Sequence, residues 1–176
     1  MDFSQSYFEL FELPQRFELD TDVLARRYRE LQMHLHPDKH AAAGPQEQRL
    51  AVQYSAFVNG AFHTLKQPLP RALYLLNLAG WDKERVAAQP VAGDFLLQQM
   101  ELREALERIH GLVNPEAGLE HLQDELAAGW SEHSGELSAA MADEDWNEAA
   151  AAVVKMQYLD KLRSEVTALE NSLLDS

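Results

Sequence analysis

The sequence predicts an all-α protein made of two parts, and three observations support this prediction. Apolar residues recur every three or four positions along most of the 176 residues, which is the spacing of helices that bury one face. No stretch alternates apolar and polar residues with the β-branched enrichment that is typical of a strand. The formal charge is uneven, since residues 1–80 carry a net charge of −1 and residues 81–176 a net charge of −13. We therefore predict a helical domain over residues 1–79, a connector over residues 80–92 and a three-helix bundle over residues 93–176.

The N-terminal domain begins with two helices whose ends are set by caps and prolines. A short helix, SYFELFEL, ends before Pro14, and a second helix begins near Asp20 or Thr21, both of which are good N-caps. The second helix ends near His36, because the ring of Pro37 disfavours the helical conformation of the residue before it. Steps of four, three and four residues place one stripe on the buried face of this helix: Leu24, Tyr28, Leu31 and Leu35.

A third helix opens after Gly44-Pro45 and is predicted to run antiparallel to the second, so that the two form a helical hairpin. Its predicted buried face consists of Leu50, Tyr54, Phe57, Val58, Ala61 and Leu65. Beyond Pro68 a short apolar helix, RALYLLNLAG, closes at Gly80. The next residues, up to residue 92, offer few core candidates, so we predict a connector there.

The C-terminal part contains three helical patterns with short connections, over residues 94–112, 115–141 and 144–174, with N-caps expected at Asn114 and Asp143. On the first of these helices, steps of about 100° per residue place one core stripe on a single face. The stripe consists of Phe95, Leu102, Leu106, Ile109 and Val113. The middle helix is the weakest prediction, because each of its three glycines lowers helix propensity by about 1 kcal/mol relative to alanine.

The overall composition excludes several classes of protein. A formal net charge of −14 argues against nucleic-acid binding, because phosphate contacts draw on clustered Lys and Arg. The chain has no cysteine, so it forms no disulfide and offers no thiolate to a metal or a cluster. No apolar run approaches the roughly 18 residues of a membrane span, and the acidic N-terminus MDFSQSYFELFEL is unlike a basic signal or transit peptide. We therefore expect a cytoplasmic protein with neither a nucleic-acid nor a membrane partner.

The stretch MHLHPDKH raises the question of a metal or catalytic site, because it contains three histidines and an aspartate. His36 with His40, or His34 with Asp38, has the i, i+4 spacing that lets two ligands share one helical face and bind zinc. Pro37 interrupts the helix in this window, and no distant cluster completes a site, so we expect neither a metal nor a cofactor. The residues alone leave three possibilities open: a small histidine-dependent metalloenzyme, a solvated loop without a role, or a segment that a partner protein recognises.

The helix before this stretch carries Arg26, Arg27 and Arg29 outside its apolar stripe. The run YREL followed five residues later by HPDK resembles the J-domain, the module that recruits DnaK-type heat-shock chaperones and accelerates their ATP hydrolysis. In that family the His-Pro-Asp loop and the basic face of the preceding helix dock on the ATPase domain of the chaperone. The resemblance implies chaperone contact for seven residues: Arg26, Arg27, Arg29, His36, Pro37, Asp38 and Lys39. Because Pro37 fixes its own φ and restricts His36, Asp38 is presented on a stiff turn at low entropic cost.

Four further motifs resemble the HscB family, the co-chaperones of iron–sulfur cluster assembly. They are NGAFHTL at residues 59–65, PLPRALYLL at residues 68–76, MELRE at residues 100–104 and LDKLRS at residues 159–164. The motifs occur in order around the J-domain, and the resemblance covers nearly the whole chain. The sequence lacks the cysteine-bearing N-terminal extension of eukaryotic members, which favours a protein of the bacterial type.

The resemblance implies a J-domain followed by a three-helix bundle, in a protein that is not an enzyme and joins two partners. The bundle is expected to bind the scaffold protein IscU, and the J-domain to engage the chaperone HscA. The implied scaffold-binding residues are Leu96, Leu97, Met100, Glu101, Glu104 and Tyr158. The sequence departs from the family at Arg108, where an acidic residue is common, and at Tyr158, where another aromatic is usual. The alternative within the same class is a J-domain protein that delivers another client to a general DnaK chaperone.

The helical wheel of the first bundle helix agrees with this assignment. With Leu102 at zero, Leu96, Met100 and Leu97 fall near 120°, 160° and 220°, away from the predicted core stripe. Three large apolar residues on one outer face are expected to form a surface that a partner covers. The alternative is that they pack under the J-domain or on the connector.

Overall fold

The computed structural model describes residues 2–35 and 44–174. The chain divides between Leu75 and Leu76 into two compact units. Helices make up the regular structure of the described residues, and no strand occurs among them. None of these helices combines the length and the apolarity needed to cross a lipid bilayer. The all-α prediction is confirmed for the part of the chain that the structure describes.

The first unit contains α1 (Tyr7–Leu10), α2 (Thr21–Leu35), α3 (Pro45–Lys66) and most of α4 (Pro68–Leu78). Ser6 starts α1 with a capping box, in which its hydroxyl accepts from the backbone N–H of Glu9 and its own N–H donates to the Glu9 carboxylate. The aromatic ring of Tyr7 stacks on Tyr74 of α4 at 4.3 Å between centroids. The Tyr7 backbone N–H also donates to the Tyr74 hydroxyl at 3.0 Å. These contacts hold α1 on α4.

Helices α2 and α3 form the predicted antiparallel hairpin. Tyr28 of α2 stacks on Phe62 of α3 at 4.0 Å between ring centroids, and one turn later Gln32 donates to Asn59. The contacts move forward along α2 and backward along α3, which fixes the antiparallel direction. The buried residues of α3 are Ala51, Tyr54, Val58, Ala61 and Leu65.

The second unit contains the end of α4, α5 (Lys83–Ala87), α6 (Gly93–Arg108), α7 (Pro115–Ala142) and α8 (Trp146–Leu174). One turn of 3-10 helix, Ile109–Gly111, follows α6. Helices α6, α7 and α8 form a bundle around a cluster of buried apolar side chains. The cluster consists of Leu102, Ile109, Leu119, Leu122, Leu126, Leu159, Leu162 and Val166.

Helix α7 is continuous although the sequence made it the weakest helix prediction. Its glycines are tolerated because the helix buries a full apolar stripe, and burial contributes about 1.5–3 kcal/mol for each large side chain. The stripe includes Leu119, Leu122, Leu126 and Leu137. Gly118 also allows a close approach, since a Cβ built there lies 2.5 Å from Cδ1 of Leu112.

Four sequence expectations were wrong in detail. Asp143 was expected to cap the last helix, but it ends α7, and the carboxylate of Asp145 accepts from the backbone N–H of Glu148 at the start of α8. Leu50 was placed in the core but is exposed, because the buried stripe of α3 runs through Ala51, its neighbour. Val113 was placed on the core stripe of the first bundle helix but is fully exposed, because α6 ends at Arg108 and the helical spacing no longer applies. The connector holds the short helix α5, and this segment contributes Trp81 and Val86 to the buried residues.

Candidate functional site

The basic face of α2 belongs to a helix with a well-defined start. Asp20 caps α2, since its carboxylate oxygen Oδ1 accepts from the backbone N–H groups of Asp22 and Val23, at 3.0 Å each. Arg26 and Arg29 are exposed, and no carboxylate among the described residues forms an ion pair with either of them. Within the described part of the chain, Arg26 and Arg29 thus form an exposed basic face.

Arg27 is arranged differently from its two neighbours. Its Nη2 lies 3.0 Å from the Glu12 carboxylate and its Nη1 lies 3.7 Å from the Glu30 carboxylate. Glu12 itself has a left-handed backbone, with φ of 52°, at the end of the turn that follows α1. Arg27 thus holds the segment between α1 and α2 against α2. The ion pair with Glu12 joins two different segments, and helical periodicity does not predict such a pair.

The opposite side of α2 is fixed to α3 by polar and aromatic contacts. The Tyr28 hydroxyl donates to Asn59 Oδ1 at 3.0 Å, and Gln32 donates to the same oxygen. Because Tyr28 is held by its stacked ring and by its hydroxyl, α2 has little freedom to rotate about its own axis. The positions at which Arg26 and Arg29 leave the helix are therefore fixed relative to α3.

Four predicted chaperone-binding residues, His36, Pro37, Asp38 and Lys39, lie outside the described residues. Of the proposed zinc ligands, only His34 is described, and its Nδ1 lies 2.7 Å from the carbonyl oxygen of Glu30. Within residues 2–35 and 44–174, no group of three or more His, Cys, Asp or Glu side chains could hold a metal ion.

The second candidate site is an exposed apolar surface on the bundle. The exposed fractions are 39% for Leu96, 58% for Leu97 and 61% for Met100, all on α6, and 46% for Tyr158 on α8. We call these four residues the apolar patch. The surface follows from the helix period, because Phe95 and Leu102 of the same helix are buried on the other side.

Phe95 connects the two helices that carry the apolar patch. Its ring is buried and meets the Tyr158 ring edge to face, at 6.1 Å between centroids and 75° between planes. An ion pair of 3.4 Å between Arg103 and Glu165 also joins α6 to α8. The structure therefore brings the first turn of α6 next to Tyr158, although Phe95 and Tyr158 are 63 positions apart in the sequence.

Two exposed glutamates lie on α6, within one turn of Met100. Glu101 is exposed, and Glu104 pairs with Arg108 one turn later at 2.6 Å. Arg108 thus neutralises the neighbouring carboxylate. Because both side chains are exposed, this pair is worth at most about 1 kcal/mol and can exchange partners at low cost.

His133 of α7 contacts Phe95, which in turn contacts the apolar patch. The sequence analysis assigned His133 no role. It is 7% exposed, and its ring meets Phe95 edge to face at 5.4 Å between centroids. His133 Nδ1 lies 2.9 Å from Glu136 Oε2, and Lys155 of α8 donates to the same oxygen at 3.0 Å. Partial burial raises the pKa of Glu136, but the hydrogen bonds from Lys155 and His133 outweigh it and hold this pKa below its ordinary value.

A signal for His133 was present in the sequence. It continues the apolar stripe of α7, seven residues after Leu126 and four before Leu137, which are both buried. A histidine at a core position needs a polar partner, and Glu136 at i+3 is within reach on a helix. The partnership with Lys155 depends on the packing of α8 and could not be read from the spacing.

Comparisons with known proteins identify the family. The family model described as HSCB C-terminal oligomerisation domain matches residues 91–167. A co-chaperone protein HscB homolog from Shewanella loihica is 43% identical, over 96% of this chain and 99% of the relative. A co-chaperone protein HscB homolog from Photobacterium profundum is 40% identical, over 97% and 99% respectively.

Solved structures agree with the sequence relatives. The chaperone HscB from Vibrio cholerae superposes with a TM-score of 0.86 at 38% identity, covering 96% of this chain and 99% of that chain. The human co-chaperone protein HscB superposes with a TM-score of 0.88 at 29% identity, covering 97% and 84%. The similarity extends over both compact units, and the chain belongs to the HscB family of co-chaperones.

Proposed function

We propose that this chain is an adaptor that binds the iron–sulfur scaffold IscU through its bundle and recruits the DnaK-type chaperone HscA through its J-domain. The observation that carries this proposal is the exposed apolar patch on α6 and α8, in a chain whose first unit presents a separate basic helix. Exposed apolar residues that cluster on one surface are typical of a surface that a partner covers. The relatives that are named co-chaperones support the same role.

On the scaffold side, the apolar patch supplies most of the binding free energy and the nearby charges orient the partner. Each large apolar side chain contributes up to about 1.5–3 kcal/mol when it becomes fully buried. Glu101 and Glu104 lie on the same helix and favour a partner surface that carries positive charge. Residues 93–176 form the scaffold-binding domain in this proposal.

On the chaperone side, α2 and the loop that follows it act together, within a J-domain of residues 1–79. The guanidinium groups of Arg26 and Arg29 are available to acidic side chains of the chaperone, and several such charges steer association. Arg27 takes part only by giving up its ion pairs with Glu12 and Glu30, so its share is smaller. His36, Pro37, Asp38 and Lys39 complete the contact in this proposal. The chain carries out no chemistry and shifts a conformational equilibrium in the chaperone, which holds the ATP.

The proposal places the chain in the bacterial cytoplasm, where its two partners are expected to meet it. Its support is the bacterial origin of the relatives at about 40% identity.

The test measures ATP turnover by purified HscA with this chain, with and without IscU. We expect His36→Gln to abolish the stimulation of turnover while IscU binding, measured by calorimetry, stays unchanged. Arg49→Gln is a matched control because Arg49 is an exposed cation of the same unit on α3, outside the proposed contact. Stimulation that survives His36→Gln contradicts the chaperone assignment. An intact chain that binds no IscU but still stimulates a general DnaK supports the delivery of another client instead.

A further inference from the structure

The methionines of this chain divide into two groups according to their exposure. Of the four that the structure describes, Met141 and Met156 are buried, whereas Met33 is 59% exposed and Met100 is 61% exposed. Met100 lies within the apolar patch, and Leu96 and Leu97 precede it by one helical turn. A flexible thioether therefore lies on the surface that the scaffold is proposed to cover.

Exposure and burial decide how a thioether reacts with a peroxide. The sulfur lone pair attacks one oxygen of hydrogen peroxide, the O–O bond breaks, and the proton of the attacked oxygen passes to the departing oxygen. An S=O bond forms and water leaves. Sulfur loses two electrons and the peroxide gains them. Only a sulfur that the oxidant can reach reacts readily, and the sulfoxide is returned to the thioether by methionine sulfoxide reductases.

We propose, on the basis of the scaffold contact inferred above, that Met100 is a reversible oxidation site that controls binding of the scaffold. The reagent class is a small peroxide and the product is Met100 sulfoxide. The oxygen turns an apolar contact residue into a strong hydrogen-bond acceptor at the same position on α6. No other change in the chain is needed for the effect.

The effect on binding follows from the surroundings of Met100. The other patch residues of α6, Leu96 and Leu97, are aliphatic and offer no hydrogen-bond donor, so the Tyr158 hydroxyl on α8 is the only side-chain donor within the patch. A sulfoxide oxygen that is buried there without a donor loses its hydration, and such a loss weakens binding by roughly ten- to a hundredfold. Because Met100 is exposed before binding, oxidation leaves the core of the bundle unchanged.

The scaffold must in turn protect Met100. A scaffold that covers Met100 keeps the peroxide away from its sulfur, so sulfoxide formation at this residue slows while the scaffold is bound. Met33 lies on α2, in the other compact unit. It therefore serves as an internal reference for the amount of peroxide that reaches the chain.

The experiment treats the full-length chain with hydrogen peroxide, removes the peroxide, and maps the added oxygen by mass spectrometry of peptides. IscU binding is then measured by calorimetry for treated and untreated protein. We expect oxygen on Met33 and Met100 but not on Met141 or Met156, a ten- to hundredfold loss of affinity, and recovery after incubation with methionine sulfoxide reductases. With IscU present, oxidation of Met100 slows relative to oxidation of Met33.

Two variants identify the residue responsible. For Met100→Leu, whatever its starting affinity, we expect treatment to change IscU affinity by less than about twofold. For Met33→Leu, we expect the same loss on treatment as in the unaltered chain. The inference is overturned if protein with fully oxidised Met100 binds IscU as well as untreated protein, or if treated Met100→Leu loses as much affinity as the unaltered chain. In either outcome the adaptor function still holds if the untreated chain binds IscU. If the untreated chain does not bind IscU, both the adaptor function and the oxidation site are contradicted.

Discussion

Removal of two side chains from the apolar patch gives the sharpest test of scaffold binding. The change is Leu96→Ala together with Met100→Ala. Partner binding can bury only the surface that is exposed in the free chain, which is 39% of Leu96 and 61% of Met100. Together these fractions amount to about one whole side chain. Burial of one such side chain contributes about 1.5–3 kcal/mol, so the dissociation constant for IscU should rise roughly 10- to 150-fold.

The assay is calorimetric titration of IscU into the double variant, with the free energy of unfolding measured by urea denaturation. Met100 is mostly exposed, so Met100→Ala should change the free energy of unfolding by less than about 0.5 kcal/mol. Leu96 is 39% exposed, so Leu96→Ala should lower the free energy of unfolding by about 1–2 kcal/mol and leave the chain folded. Val113→Ala is the matched control, since Val113 is an exposed apolar residue of the same unit outside the patch. Unchanged IscU affinity in the double variant, with the control also unchanged, would refute the assignment of the patch.

The remaining predictions concern stability and the basic helix. The folded-state pKa of Glu136 lies below its ordinary value of 4.5, so its ionised form stabilises the fold at neutral pH, and this contribution is lost as the pH falls through the folded-state pKa. Urea denaturation at a series of pH values should therefore show that the free energy of unfolding of the unaltered chain exceeds that of Glu136→Gln by less and less below about pH 4.5. A difference in the free energy of unfolding that stays constant with pH would contradict the ion-pair network. Gly135→Ala should raise the free energy of unfolding by about 0.5–1 kcal/mol, because a Cβ there meets nothing within 4 Å. Gly118→Ala should raise the free energy of unfolding by less, because its Cβ would press on a neighbouring leucine. Equal increases for the two variants in chemical denaturation would contradict this packing. Arg29→Ala should lower stimulation of the chaperone ATPase without affecting the free energy of unfolding. Arg27→Ala should lower the free energy of unfolding by up to about 1 kcal/mol. The reverse pattern would show that Arg27 contacts the chaperone and that Arg29 stabilises the fold.

The sequence predicts helices well where local chemistry defines their ends. Asp20 and Asn114 cap helices as expected, and both cap hydrogen bonds are present. The hairpin and the bundle follow from apolar spacing that continues over many turns. Periodicity fails where it is extended past a helix end, which explains the error at Val113, and where two adjacent residues compete for one stripe, which explains the error at Leu50.

Features that depend on packing between distant segments were not predictable. Helix α5 spans five residues, which is too short for a periodic signal, and its burial depends on contact with α8. The pairing of Arg27 with Glu12 requires a folded turn between α1 and α2. The exposed side of α6 was visible on the helical wheel, but the contact between Phe95 and Tyr158 that unites the two halves of the patch was not.

Helix α8 packs against α5, α6 and α7 in turn, and this arrangement determines how the patch behaves over time. Tyr158 lies near the middle of a 29-residue helix, so its backbone amide opens to solvent only when several neighbouring elements separate together. Hydrogen exchange at this position should therefore be among the slowest in the chain. A surface supported in this way is already ordered before any partner arrives, and little conformational entropy is lost when the complex forms.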